Sequence, residues 1–144
     1  MLRPFDVLFP ASVQEASAEL ARLGDEAVVY SGGVELVLLT RLGFTEAGTF
    51  VDVKRIPGMG DLAAENGHVR IGATVTHRRA HTDALVRERL PLLAQAASRI
   101  GNVRIRNQGT LGGEHLVRRP AIRPARAVAR VRRDGHDRVV ARSS

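Results

Sequence analysis

The sequence has 144 residues, 44% of them hydrophobic and only 3% aromatic, with a formal net charge of +7 and no cysteine. That length accommodates one domain with a real core, or two small lobes sharing a cleft, and the lack of cysteine excludes disulfides, thiolate metal sites and cysteine-held iron–sulfur clusters. The longest apolar run, VELVLL, is far below the roughly 18 to 20 residues of a membrane span, and no apolar secretory stretch follows Arg3 and Asp6, so a cytoplasmic location is expected.

FDVLFP, at residues 5–10, predicts a short strand. Ser12 with Glu15 three positions later is a capping-box signature. Val13, Ala16, Leu20 and Leu23 then follow at helical spacing until Gly24 closes the helix. AVVY, at 27–30, reads as a buried strand feeding into the turn SGGVEL, with a helix starting directly after the glycines. FVDV, at 50–53, is a second strand, broken by the stretch from Arg55 to Gly58. A first lobe is expected over residues 1–57 and a second over 58–113. The second opens with a hairpin, LAAE and HVRIGA joined by Asn66-Gly67. Thr76 can cap a short helix through Ala80. Pro91 can start another, with Leu93, Ala96, Ala97 and Ile100 on one face and Gly101 at its end. A long polar loop then delivers a second glycine pair, GTLGGE. The pattern is α+β: strands and helices in two small lobes.

The two glycine loops are the candidate site. Backbone without side chains lets consecutive N–H groups turn inward around an anion, and a helix that begins right after such a loop adds free N-terminal N–H groups. Two loops of this kind bracketing one cleft suggest a ligand whose phosphates are gripped from both sides. Arg104 and Arg106 flank the second loop, placed either to neutralise phosphate or to be solvated; Lys54 reads as a solvated charge. His77 and His81 are four apart but lack a third ligand at suitable spacing, so no metal site is expected. No Ser/His/Asp or paired-carboxylate arrangement stands out, and no catalytic side chain is assigned. Gly-x-Gly-x-x-Gly is absent, so a Rossmann-type NAD site is not supported.

The charge is unevenly distributed. Residues 1–113 hold 13 basic and 12 acidic residues, whereas residues 114–144 hold nine Arg against Glu114, Asp134 and Asp137. This tail has no aromatic residue to interleave with its cations, unlike a nucleic-acid reader. It is expected to be either a disordered basic tail or the product of a shifted reading frame in a GC-rich gene.

Four segments carry a family resemblance: AVVYSGGVELVLLTRLG (27–43), VDVKRIPGM (51–59), IGATVTH (71–77) and, most specific, RIGNVRIRNQGTLGG (99–113). In order and spacing they resemble the FAD-binding medium subunit of the molybdenum hydroxylases, the group of carbon monoxide dehydrogenase and xanthine dehydrogenase. The resemblance covers residues 3–113. It implies the FAD-binding fold shared with vanillyl-alcohol oxidase and p-cresol methylhydroxylase, here with an incomplete second lobe and without the family's C-terminal domain. It also implies an oxidoreductase subunit with FAD as cofactor, partnered by an iron–sulfur small subunit and a molybdenum-pterin large subunit. In that family, electrons pass from the clusters through FAD to an acceptor, and the flavin rather than the protein carries the chemistry. The matching cofactor-binding positions are Ser31, Gly32, Gly33, Val34 and Glu35 in the first loop, and Thr110, Leu111, Gly112, Gly113 and Glu114 in the second. Ser31 stands where the family usually has alanine. Glu114 stands where it has asparagine, and an ionised carboxylate can only accept hydrogen bonds. Two other readings stand beside this one: a nucleic-acid-binding module driven by the basic tail, and a non-functional truncated gene product.

Overall fold

The computed structural model describes residues 4–113, 128–133 and 139–142. The first sheet is parallel, with β1 (Asp6–Leu8) and β2 (Ala27–Tyr30) on either side of β3 (Thr49–Asp52). Parallel neighbours need crossover connections, and α1 (Val13–Leu23) and α2 (Val34–Arg41) lie within them. The central strand is the most buried: Val51 is fully enclosed, and Phe50 stacks between Phe5 and Tyr30 at 4.5 and 5.8 Å. Ala16 and Leu20 of α1 close this core over Val51, Val53 and Ile56.

Local signals explain the helix boundaries. Ser12 Oγ accepts from the Glu15 N–H at 3.1 Å, while the Glu15 carboxylate reaches back to the Ala11 N–H at 2.7 Å. The reciprocal cap is therefore present, its return bond shifted one residue outward. A 3-10 turn, Gly24–Glu26, links α1 to β2, and Gly24 has φ +55°.

The second sheet is antiparallel, in the order β4 (Leu62–Glu65), β5 (His68–Gly72), β6 (Val128–Arg133), β7 (Val139–Arg142). Asn66 and Gly67 have φ of +49° and +76°, as the expected tight hairpin requires. Val69, Ile71 and Val75 pack with Ala80 and Ala97, so α3 (His77–Thr82) and α5 (Pro91–Arg99) close this lobe. Two further helices lie where no helix was expected. Asp83 Oδ1 caps α4 (Ala84–Arg89) and Asn102 Oδ1 caps α6 (Val103–Gln108), each accepting a bond of 3.0 Å. The presumed polar loop before the second glycine pair is thus mostly helix, and its entry is set by that asparagine cap. A six-residue helix is under two turns long, too short for hydrophobic periodicity to show.

Strands β6 and β7 fall inside the stretch expected to be an arginine-rich tail without regular structure. β-branched Val128, Val131, Val139 and Val140 supply the strand-forming residues there. Glu114 and the rest of that stretch, 115–127, 134–138 and 143–144, lie outside the described residues. Among the described residues no helix is long and apolar enough to cross a membrane.

Candidate functional site

The two glycine loops meet. β2 ends at Tyr30, and the chain turns through Ser31 and Gly32 to Gly33, which adopts the left-handed conformation (φ +74°) at the N-cap of α2. No side chain caps that helix, so its first-turn N–H groups face outward without an intrahelical acceptor. Each glycine is required for a different reason. A Cβ at Gly33 would lie 2.6 Å from the Tyr30 ring in a backbone conformation L-residues avoid, and one at Gly32 would run into the Gln108 carbonyl. The first loop is therefore pressed directly against the end of α6.

The second loop is latched to the segment after β5. The Leu111 N–H donates to the Val75 carbonyl at 3.0 Å, Gly112 to Ala73 at 2.9 Å, and His77 to Gly109 at 3.0 Å. Gly113 donates to Thr110 Oγ1 at 3.2 Å. A Cβ at Gly112 would lie 2.8 Å from the Ala73 carbonyl oxygen, so glycine serves close packing here rather than a positive φ. The loops are joined by a buried hydroxyl pair, Ser31 Oγ to Thr110 Oγ1 at 2.9 Å.

Between them lies a cleft of about 550 Å³, within the ordinary range for a small-molecule site. Ser31, Gly32, Gly33, Val34 and Thr110 line it. Glu35 is exposed on α2 and outside the lining, which keeps its carboxylate off the cleft wall. Leu111, Gly112 and Gly113 stand behind Thr110 as its support, not in the wall. Glu114 lies outside the described residues.

Of the opposite wall, only Arg104 was among the candidates. Thr74, Thr76, Ile105, Asn107 and Gln108 line it with Arg104, and Tyr30 and Lys54 complete the first-lobe side. The cleft thus carries two cations and several neutral donors, with no carboxylate among its lining residues. Arg106 is not part of it: its guanidinium donates to the Ile100 and Gly101 carbonyls at 3.1 and 2.9 Å and fixes the entry to α6. His81 is engaged through Nδ1 with the Ala94 carbonyl at 3.2 Å. Among the described residues, no group of three or more His, Cys, Asp or Glu could hold a metal.

These residues fit FAD in kind. Uncompensated N–H groups at the start of α2, hydroxyls and two cations suit a diphosphate. Tyr30, Val34, Val37 and Ile105 offer apolar surface to flat rings.

Comparison with known proteins agrees. Residues 3–127 match the family described as the FAD binding domain in molybdopterin dehydrogenase, so the match runs past Gly113, where the resemblance was expected to end. The carbon monoxide dehydrogenase medium chain of Hydrogenophaga pseudoflava is 37% identical over 110 residues, covering 76% of this chain and 38% of its own. A 6-hydroxypseudooxynicotine dehydrogenase complex subunit alpha from Paenarthrobacter nicotinovorans is 35% identical over 109 residues, covering 76% of this chain and 37% of its own. Among solved structures, carbon monoxide dehydrogenase from Hydrogenophaga pseudoflava lacking the Mo-pyranopterin moiety superposes with a TM-score of 0.77 at 36% identity, over 80% of this chain and 40% of that one. The chain thus spans well under half the length of these relatives. With the cleft, the loops and these matches together, the chain belongs to the family of FAD-binding domains of molybdopterin dehydrogenases.

Proposed function

We propose that this chain is the flavin-holding part of a molybdenum hydroxylase-type oxidoreductase, located in the cytoplasm and working with an iron–sulfur small subunit and a molybdenum-pterin large subunit. The observation that carries the reading is the cleft between two interlocked glycine loops, lined by Lys54 and Arg104 and by no carboxylate. Such a lining favours an anionic ligand, and a diphosphate is the anion whose two ends can be met from opposite loops.

When FAD is bound, the chemistry it supplies is acceptance and release of electrons. The protein's own part is to bind and orient. Gly32 and Gly33 bring backbone close to the ligand, the first turn of α2 donates N–H groups, and Thr110 presents a hydroxyl whose position is fixed by Ser31 and by the Gly113 N–H. Leu111, Gly112 and Gly113 hold Thr110 in place through their bonds to the 73–75 backbone and, for Gly113, to Thr110 itself. Val34 packs at the wall, and Glu35 faces away from it. No residue of the chain breaks or forms a substrate bond in this reading.

The nucleic-acid alternative is not favoured, because the folded part that builds the cleft is nearly neutral and the excess charge sits beyond Gly113. The decisive experiment is a flavin titration of the purified 144-residue protein. Non-covalent FAD is expected, visible in the flavin absorbance bands and released by acid or heat, since the chain has no cysteine for a thioether link. A folded sample that neither retains nor takes up FAD overturns the proposal.

A further inference from the structure

Lys54 is the only lysine of the chain and stands two residues beyond Asp52, the last residue of β3. Its side chain folds back over the first glycine loop. Nζ is 2.8 Å from Asp52 Oδ2, donates to the Ser31 carbonyl at 3.3 Å, and lies 3.9 Å from the centroid of the Tyr30 ring. The second Asp52 oxygen accepts from the Lys54 backbone N–H at 2.9 Å. The Asp52 side chain is 8% exposed, whereas the lysine side chain is 41% exposed and lines the cleft. Of the three ammonium donors, Asp52 and Ser31 take two. Lys54 and the Tyr30 ring beneath its ammonium both line the cleft.

This arrangement does more than solvate a charge. The Lys54 ammonium neutralises the carboxylate beneath the loop, so that carboxylate does not repel an anion above it. The ammonium is anchored by three groups and loses little freedom when it meets a ligand. It also sits against the backbone of the loop that leads into α2, so its field and the positive end of that helix act on the same place.

We infer that Lys54 is a ligand-specificity residue of the cleft: it donates to a phosphate oxygen of a dinucleotide diphosphate while masking Asp52. The inference rests on the cleft being the FAD site and adds to it a side chain that selects for the diphosphate rather than for the flavin ring.

The test compares the full-length protein with Lys54→Met, Lys54→Arg and the double variant Asp52→Asn/Lys54→Met. Each is titrated with FAD, ADP and riboflavin at low and high salt, and each is melted without ligand. Lys54→Met is expected to weaken FAD and ADP alike by about tenfold or more, to flatten the salt dependence of both, and to leave riboflavin unchanged. Lys54→Arg should keep most of the affinity, and the double variant should recover part of what Lys54→Met loses, because the exposed carboxylate is gone. If Lys54→Met binds FAD as tightly as the parent with the same salt slope, or loses riboflavin by the same factor as ADP, the lysine is only a prop for the loop and the inference is wrong. A parent protein that binds neither FAD nor ADP removes the reading of the cleft itself, which is a different result.

Discussion

The Ser31–Thr110 hydroxyl pair joins loops 79 residues apart in the sequence, and its removal gives a sharp stability prediction. Thr110 Oγ1 serves two neighbours, Ser31 Oγ at 2.9 Å and the Gly113 N–H at 3.2 Å, and both hydroxyl-bearing residues are buried at 4% and 7% exposure. Ser31→Ala removes one partner and leaves Thr110 with the other, for a cost of about 1 kcal/mol. Thr110→Val keeps the shape but strands the Ser31 hydroxyl and the Gly113 N–H together, for about 2–3 kcal/mol. At roughly 2 cal/mol/K of unfolding entropy per residue, each kcal/mol lowers the melting temperature of a chain this size by about 3 °C. The double variant should cost about 1 kcal/mol less than the sum of the singles, since the shared bond is lost only once. Urea unfolding followed by circular dichroism measures all three. A Thr110→Val cost no larger than that of Ser31→Ala, or strict additivity, would refute the geometry. FAD affinity supplies the functional half: both variants should bind more weakly than a variant equally destabilised elsewhere.

Ser12→Ala provides that comparison, costing about 1 kcal/mol through loss of the α1 cap while leaving FAD affinity unchanged. Gly33→Ala should abolish FAD binding, because the new Cβ meets the Tyr30 ring at a positive φ; a flavin titration with parental affinity would contradict this. Gly112→Ala should also weaken binding, but by prising the second loop from Ala73, so its melting temperature should fall in parallel. Shortening the chain to residue 113 should free the edge of β5 that pairs with β6 and promote self-association, measurable by light scattering, while removing any salt-sensitive affinity for nucleic acid.

The first-loop part of the site was legible because it is local. A strand, two glycines and an immediate helix start occupy a dozen residues, and their geometry follows from short-range sterics. The facing wall was not legible. Thr74 and Thr76 lie between β5 and α3, whereas Asn107 and Gln108 end α6, and only the latch between the second loop and the 73–75 backbone brings them together. Lys54 is the instructive case: a lone lysine after a strand reads as solvated, and nothing local shows that it bends over Tyr30 to rest on Asp52. The asparagine cap of α6 was a usable signal that the expectation of a polar loop passed over. Nothing local to Ser31 reveals what its hydroxyl does, because its partner Thr110 lies 79 residues away.

The second sheet holds a conflict that sharpens the question of residues 114–144. Its register aligns Val69 with Val131 and Ala141, and Ile71 with Ala129, apolar residue with apolar residue in sequence. The alternate row is Arg70, Arg130 and Arg142. On the β4 side Arg70 has its own carboxylates, Glu65 at 3.1 Å and Asp61 at 3.9 Å; on the β6 side the register offers it only another arginine. Alternation is easily satisfied by any stretch rich in Val, Ala and Arg, whereas complementary charge requires a sequence shaped for its neighbour, and like charges directly opposite oppose pairing. The family match extends to residue 127, and the nucleotide sequence downstream of codon 113 decides whether this asymmetry comes from a shifted reading frame. At the protein level, Arg130→Glu puts an acidic residue in register with Arg70 and Arg142. It should stabilise the fold by about 1 kcal/mol, or about 3 °C, with the gain shrinking at high salt. Because β5 leads through Gly72 into the backbone that latches the second loop, the same variant should tighten FAD binding slightly. An unchanged or lower melting temperature would mean that β6 does not pair with β5 in this register in solution.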